Sequence, residues 1–162
     1  MSGLGEMPLL LRTVRHDRWL KEEAAPFLAV DDVPADPVCD LQTKQNLLSV
    51  FEVEQDRSNI ERIVRAVAIG KQVIADTGYV VLDSDLLPAA GIEVRDSAGG
   101  TLDKEANAWH RDLVVSGNKL VALTKAILRN GESGIVLKVR LRELVEEGKR
   151  NGQIPEKLPA KL

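Results

Sequence analysis

The chain has 162 residues, of which 44% are hydrophobic and 29% charged, with 25 acidic against 22 basic residues and a net charge of −3. That is enough chain for one domain with a sizeable core, and it excludes the cationic balance of a general nucleic-acid or anionic-membrane binder. Five aromatic side chains (Trp19, Phe27, Phe51, Tyr79, Trp109) are too few for a base-stacking platform, so the core must be built from Leu, Val, Ile and Ala.

A single cysteine, Cys39, excludes an internal disulfide and suits a reducing compartment. No stretch approaches the ~20 apolar residues of a membrane-spanning helix. The expectation is a cytoplasmic protein with no membrane association.

In chain order, residues 9–15 (LLLRTVR) alternate and read as a strand, with Leu11, Thr13 and Arg15 on one face and Arg12 and Val14 on the other. Arg12, Arg15, His16, Arg18 and Lys21 form a local basic cluster. Trp19 and Leu20 anchor the exit from that strand. Residues 24–38 hold three prolines and read as an irregular connection, with Asp36-Pro37 starting a short helix.

Residues 47–85 carry the clearest order. Leu48 and Val50 alternate with Ser49, Phe51 and Val53, as in a half-buried strand. Ser58 with Glu61 matches a capping box, and Ile60, Ile63, Val64, Val67 and Ala68 repeat at helical spacing. A helix over 58–74 follows, then a β-rich run at 79–82. Gly91 closes a helical turn, and residues 92–95 suit a short strand.

From Thr101 the pattern turns helical. Leu102, Ala106, Trp109 and Leu113 share one stripe, Ser116 caps a helix buried through Leu120, Leu123 and Ile127, and Arg129-Asn130-Gly131 ends it with a left-handed residue. Residues 135–142 fit strand and helix equally; the helix formers at 143–150 favour helix.

The expected fold is therefore α+β in a single domain, residues 1–162. A small mixed sheet of three or four strands from residues 8–95, with one covering helix, precedes a helical subdomain at 101–150 and a tail at 153–162.

Three short motifs carry chemistry. Tyr79-Val80-Val81-Leu82-Asp83-Ser84-Asp85 resembles the first motif of haloacid-dehalogenase-like phosphotransferases, which implies a nucleophilic carboxylate and a Mg²⁺ ion held by the aspartate pair. Leu87 stands where that motif has Thr or Val, and capping of the next turn by the Asp83 carboxylate is the preferred reading. Asp83 with Glu93-Val94-Arg95 resembles the restriction-type nuclease core, with Arg95 in place of the lysine. His110-Arg111-Asp112-Leu113 resembles the kinase catalytic loop but lacks a glycine-rich loop, and the helical stripe around it is preferred. Ligand spacing for zinc is absent.

The leading expectation is a bacterial-type, non-catalytic accessory protein that needs no cofactor and acts through a protein partner or as a homo-oligomer. Val121, Leu128, Ile135 and Val136 remain as apolar positions once the core faces are assigned, and are the expected interface. One alternative is a Mg²⁺-dependent phosphate-ester hydrolase or nuclease using Asp83, Asp85 and Glu93. The other is nucleic-acid binding through Arg57, Arg62 and Arg65, which the charge balance does not favour.

Overall fold

The computed structural model describes residues 7–71 and 73–158. Residues 159–162 of the expected tail lie outside the described residues.

Six strands form one antiparallel sheet: β1 (Leu9–Val14), β2 (Leu47–Val53), β3 (Thr77–Asp83), β4 (Glu93–Asp96), β5 (His110–Val114) and β6 (Glu132–Val136). Their order is β4-β5-β2-β1-β3-β6. The helices are α1 (Lys21–Leu28), α2 (Ala35–Asp40), α3 (Ile60–Ala68), α4 (Lys104–Asn107), α5 (Gly117–Asn130) and α6 (Lys138–Arg150).

The class is α+β, but the expected sheet of three or four mixed strands is corrected to six antiparallel ones, and the separate helical subdomain is absent. The C-terminal half contributes β5 and β6 to the same sheet. The stripe through Ala106, Trp109 and Leu113 is split between the one-turn α4 and the strand β5. The ambiguous 135–142 segment is both: strand to Val136, then helix from Lys138.

The unit β2-α3-β3 has its strands parallel to one another but not adjacent, because β1 lies between them and pairs antiparallel with both. Strand alternation supplies both faces of the sheet with apolar residues, so it is packed on both sides. Leu10, Leu48, Val50, Val80 and Leu113 pack with Ala24, Leu41, Leu123 and Ile127 from the α1, α2 and α5 side. Leu11, Phe51, Val53 and Val81 pack with Ile60, Ile63 and Val64 of α3 and Leu141 and Leu144 of α6. β2 is thus a central strand with buried apolar residues on both faces, Leu48 and Val50 on one and Phe51 and Val53 on the other.

Local chemistry differs from the sequence expectation at several ends. Asn59 precedes α3, and its side chain bonds the β2 backbone, accepting from Glu54 N–H and donating to Glu52 C=O. Ser58 instead donates its N–H to the Asp56 carboxylate, and α3 stops at Ala68. The connection after Trp19 contains the helix α1 despite Pro26. Gly131 is extended at φ −77°, not left-handed; it is needed because a Cβ would lie 2.7 Å from the Ile127 carbonyl oxygen. Ser116 does cap α5, accepting from Lys119 N–H.

Candidate functional site

The sheet is incomplete at one point. β1 pairs with β3 from Leu9 to Val14, but with β2 only from Leu9 to Leu11. Beyond Leu11 the two strands part, and β2 continues to Leu47 paired with β5 alone. The Arg12 side chain lies in this fork. Its Nη1 donates to the Ser49 carbonyl at 2.9 Å, bridging the gap left by the lost strand pairing, and Nη2 approaches the Gln42 carbonyl at 3.4 Å.

Arg12 makes no ion pair among the described residues, and its Nε is buried without a partner. Burial pushes the guanidinium below the usual arginine range, and the Asp40 charge partly opposes this. Asp40 itself is held by the Arg15 N–H at 2.7 Å and the Trp19 indole N–H at 2.9 Å.

Two concave surfaces meet at the fork and share Arg12, Thr13 and Val67. One is a cleft of about 720 Å³ at the sheet end, between Arg15 to Asp17, Asp40, Lys71 and Asp76 to Gly78. Gly78 permits it, since a Cβ there would lie 2.8 Å from the His16 Cβ. The other is a groove of about 280 Å³ under α3, with Leu11, Thr13, Ser49, Phe51 and His110 on the sheet side and Ala66, Val67, Gly70, Gly100 and Thr101 around it.

His110 and Asp112 share one face of β5, on the expected kinase-like motif, but in a strand. His110 Nδ1 lies 2.8 Å from Ser97 Oγ, while Nε2 is 3.8 Å from Asp112 Oδ1, beyond hydrogen-bond range. The three do not form a bonded relay.

The candidate metal residues are not brought together. Asp83 ends β3 and Glu93 begins β4, with β1, β2 and β5 between them, so four strand spacings on the order of 19 Å separate the two strands. The Asp83 carboxylate accepts from Asp85 N–H at 3.2 Å, as a cap, and Glu93 pairs with Arg95. Desolvation and then the Asp83 charge lift the Asp85 carboxyl above its ordinary range. Among the described residues, no group of three or more His, Cys, Asp or Glu side chains is placed to hold a metal ion.

The arginine face is likewise dispersed. Arg57 pairs with Glu132 on the surface. Arg62 and Arg65 converge on Asp103, which is 0% exposed. Arg65 is buried within α3 rather than lying outside its apolar stripe, and also donates to the Leu144 carbonyl and the Gln153 side chain. Burial alone would raise the Asp103 carboxyl; the Arg62 hydrogen bonds, the Ala106 N–H and Arg65 hold it below the ordinary range. This cluster joins α3, α4 and α6 and takes Arg62 and Arg65 into ion pairs apart from Arg57.

Of the four expected interface residues, Leu128 and Val136 are core, at 4% and 6% exposed, whereas Val121 and Ile135 are 39% and 41% exposed. Ile135 lies on β6, the last strand of the sheet, with exposed Leu137 and Val139 after it. The opposite edge, β4, reads Glu93-Val94-Arg95-Asp96.

Sequence reasoning missed the fork. Its one sequence signal is Arg12, a charge on a strand face otherwise made by Leu10 and Val14. The parting of β1 from β2 has no signature in the residues.

Compared with known protein families, curated proteins and solved structures, the chain matches none. No helix among the described residues is long and apolar enough to cross a membrane.

Proposed function

We propose that this protein is a cytoplasmic, non-catalytic interaction module that pairs with a second copy of itself through β6, extending the sheet across a two-fold axis. The observation that carries the reading is the contrast between the two sheet edges. Unpaired edge strands invite pairing with another chain, and proteins commonly guard them with charge. β4 is guarded by Glu93, Arg95 and Asp96. Between Glu132 and Lys138, β6 and its exit run Ser-Gly-Ile-Val-Leu without a charge.

A second copy suits this edge because the segment is self-complementary. In an antiparallel pair centred on Gly134, the strand residues of the two copies match end to end, Ser133 of each standing opposite Ile135 of the other with no like charges facing. Ile135 and Leu137 would lose exposed apolar surface on pairing. The free thiol of Cys39, exposed on α2, is the support for a reducing compartment.

Light scattering on a sizing column at low micromolar concentration tests the reading. The expected result is a dimer that Ile135→Lys dissociates and Val94→Lys on the guarded edge leaves intact. A monomeric wild-type protein would remove the proposal.

A further inference from the structure

The carboxylate of Asp112, on β5, is left by the fold without a donor. Its side chain is 18% exposed and makes no hydrogen bond among the described residues. Arg95, its neighbour across the β4–β5 pair, turns to Glu93 at 3.2 Å instead. His110 Nε2 lies 3.8 Å away, beyond hydrogen-bond range. A charge withdrawn from water to this degree is costly unless something answers it.

Strand register fixes what surrounds this carboxylate. Asp112 stands opposite Ser49 and His110 opposite Phe51, and residues directly opposite share a face of the sheet. Phe51 packs toward α3, so all four are on that side. Ser49 and His110 line the groove under α3, which places Asp112 beside its polar end. His110 Nδ1 faces the Ser97 hydroxyl at 2.8 Å and the Ser97 carbonyl at 3.3 Å. A carbonyl can only accept, which favours the proton on Nδ1 and leaves Nε2 an acceptor. The Asp112 carboxylate, Nε2 and the Ser49 hydroxyl therefore gather acceptors at one place. The 3.8 Å gap is too wide for one bond, but a single nitrogen can bridge it with a bond of ~2.9 Å to each side. An ammonium carries three such donors and no acceptor. The rest of the groove is mainly apolar, with Leu11, Phe51, Ala66 and Val67 around about 280 Å³. Arg12, the one arginine of its lining, extends from the opposite sheet face with Leu10 and Val14.

We propose that this end of the groove binds a small primary ammonium with an apolar body, its nitrogen held by Asp112, His110 Nε2 and Ser49. The inference is independent of pairing through β6, which involves none of these residues.

The test is amide-shift NMR titration of the full chain with benzylamine, a cation at neutral pH, its neutral analogue benzyl alcohol and the anion benzoate. Benzylamine is expected to bind at least about tenfold tighter than benzyl alcohol, with shifts centred on Ser49, Gly100 and Asp112. Asp112→Asn, which gives up no hydrogen bond of the fold, should abolish that preference. Glu93→Gln removes an exposed carboxylate on neighbouring β4 and should leave it unchanged. No preference for benzylamine, or one that survives Asp112→Asn, would overturn the site. So would an equal loss in Glu93→Gln, or shifts confined to the cleft around Asp17, Asp40 and Asp76. Benzoate binding as tightly as benzylamine would overturn the cationic assignment.

Discussion

Arg12 replaces a strand-to-strand bond with a side-chain one: its Nη1 reaches the Ser49 carbonyl at 2.9 Å where β1 and β2 have separated. The guanidinium therefore supports the sheet. Arg12→Ala removes a charged hydrogen bond and is expected to cost about 1.5–3 kcal/mol in urea denaturation. An unchanged midpoint would show that the fork holds without it.

The Asp103 cluster sets an acid limit. Its folded carboxyl titrates below the ordinary value, so it contributes stability that is fully present above the unfolded pKa of ~3.9 and is lost as pH falls through the folded value. Asp103→Asn should flatten the stability profile in that acid range. At neutral pH it should cost about 3–5 kcal/mol, because buried Arg65 loses its counter-charge and Arg62 keeps only Glu105. Chemical denaturation of both proteins at pH 3 and pH 7 measures the difference; parallel profiles would contradict it.

Gly148 of α6 is where the cluster leaves no room. A Cβ there would lie 2.6 Å from Arg65 Nη1, and that guanidinium is tied to Asp103, Leu144 and Gln153. Alanine is normally the better helix former, so Gly148→Ala on an open helix would stabilise. Here it is expected to destabilise by about 1–3 kcal/mol, as overpacking does. A raised thermal midpoint would show that Arg65 moves aside freely.

The proposed pairing through β6 fixes a register in which Ser133 of one copy faces Ile135 of the other. Ile135→Lys alone should weaken the dimer. Adding Ser133→Glu places opposite charges across the axis and should recover up to about 1 kcal/mol, roughly fivefold. Two single variants whose effects merely add in sedimentation equilibrium would exclude the register.

Legibility in the sequence followed how local the deciding forces were. The α3 stripe of Ile60, Ile63, Val64 and Ala68 was readable because one helix face meets the sheet directly. The Asp83 cap and the Ser116 cap were readable because their partners lie two and three residues away. β5 was misread because Ala106, Trp109 and Leu113 happen to fall at helical spacing, while the strand is fixed by pairing with β2 and β4. Arg65 read as a surface residue because its partners, Asp103 and Leu144, come 38 and 79 positions later. The fork lay furthest from sight: it depends on where two strands stop pairing, and no residue type marks that point.

The position of β1 has a consequence for synthesis and truncation. Among the described residues β1, which precedes the other five strands in the chain, is the only link between two half-sheets, β4-β5-β2 on one side and β3-β6 on the other. It cannot take its place with both neighbours until the chain has been made as far as Asp83. Losing residues 9–14 would therefore leave two fragments of sheet with no strand joining them.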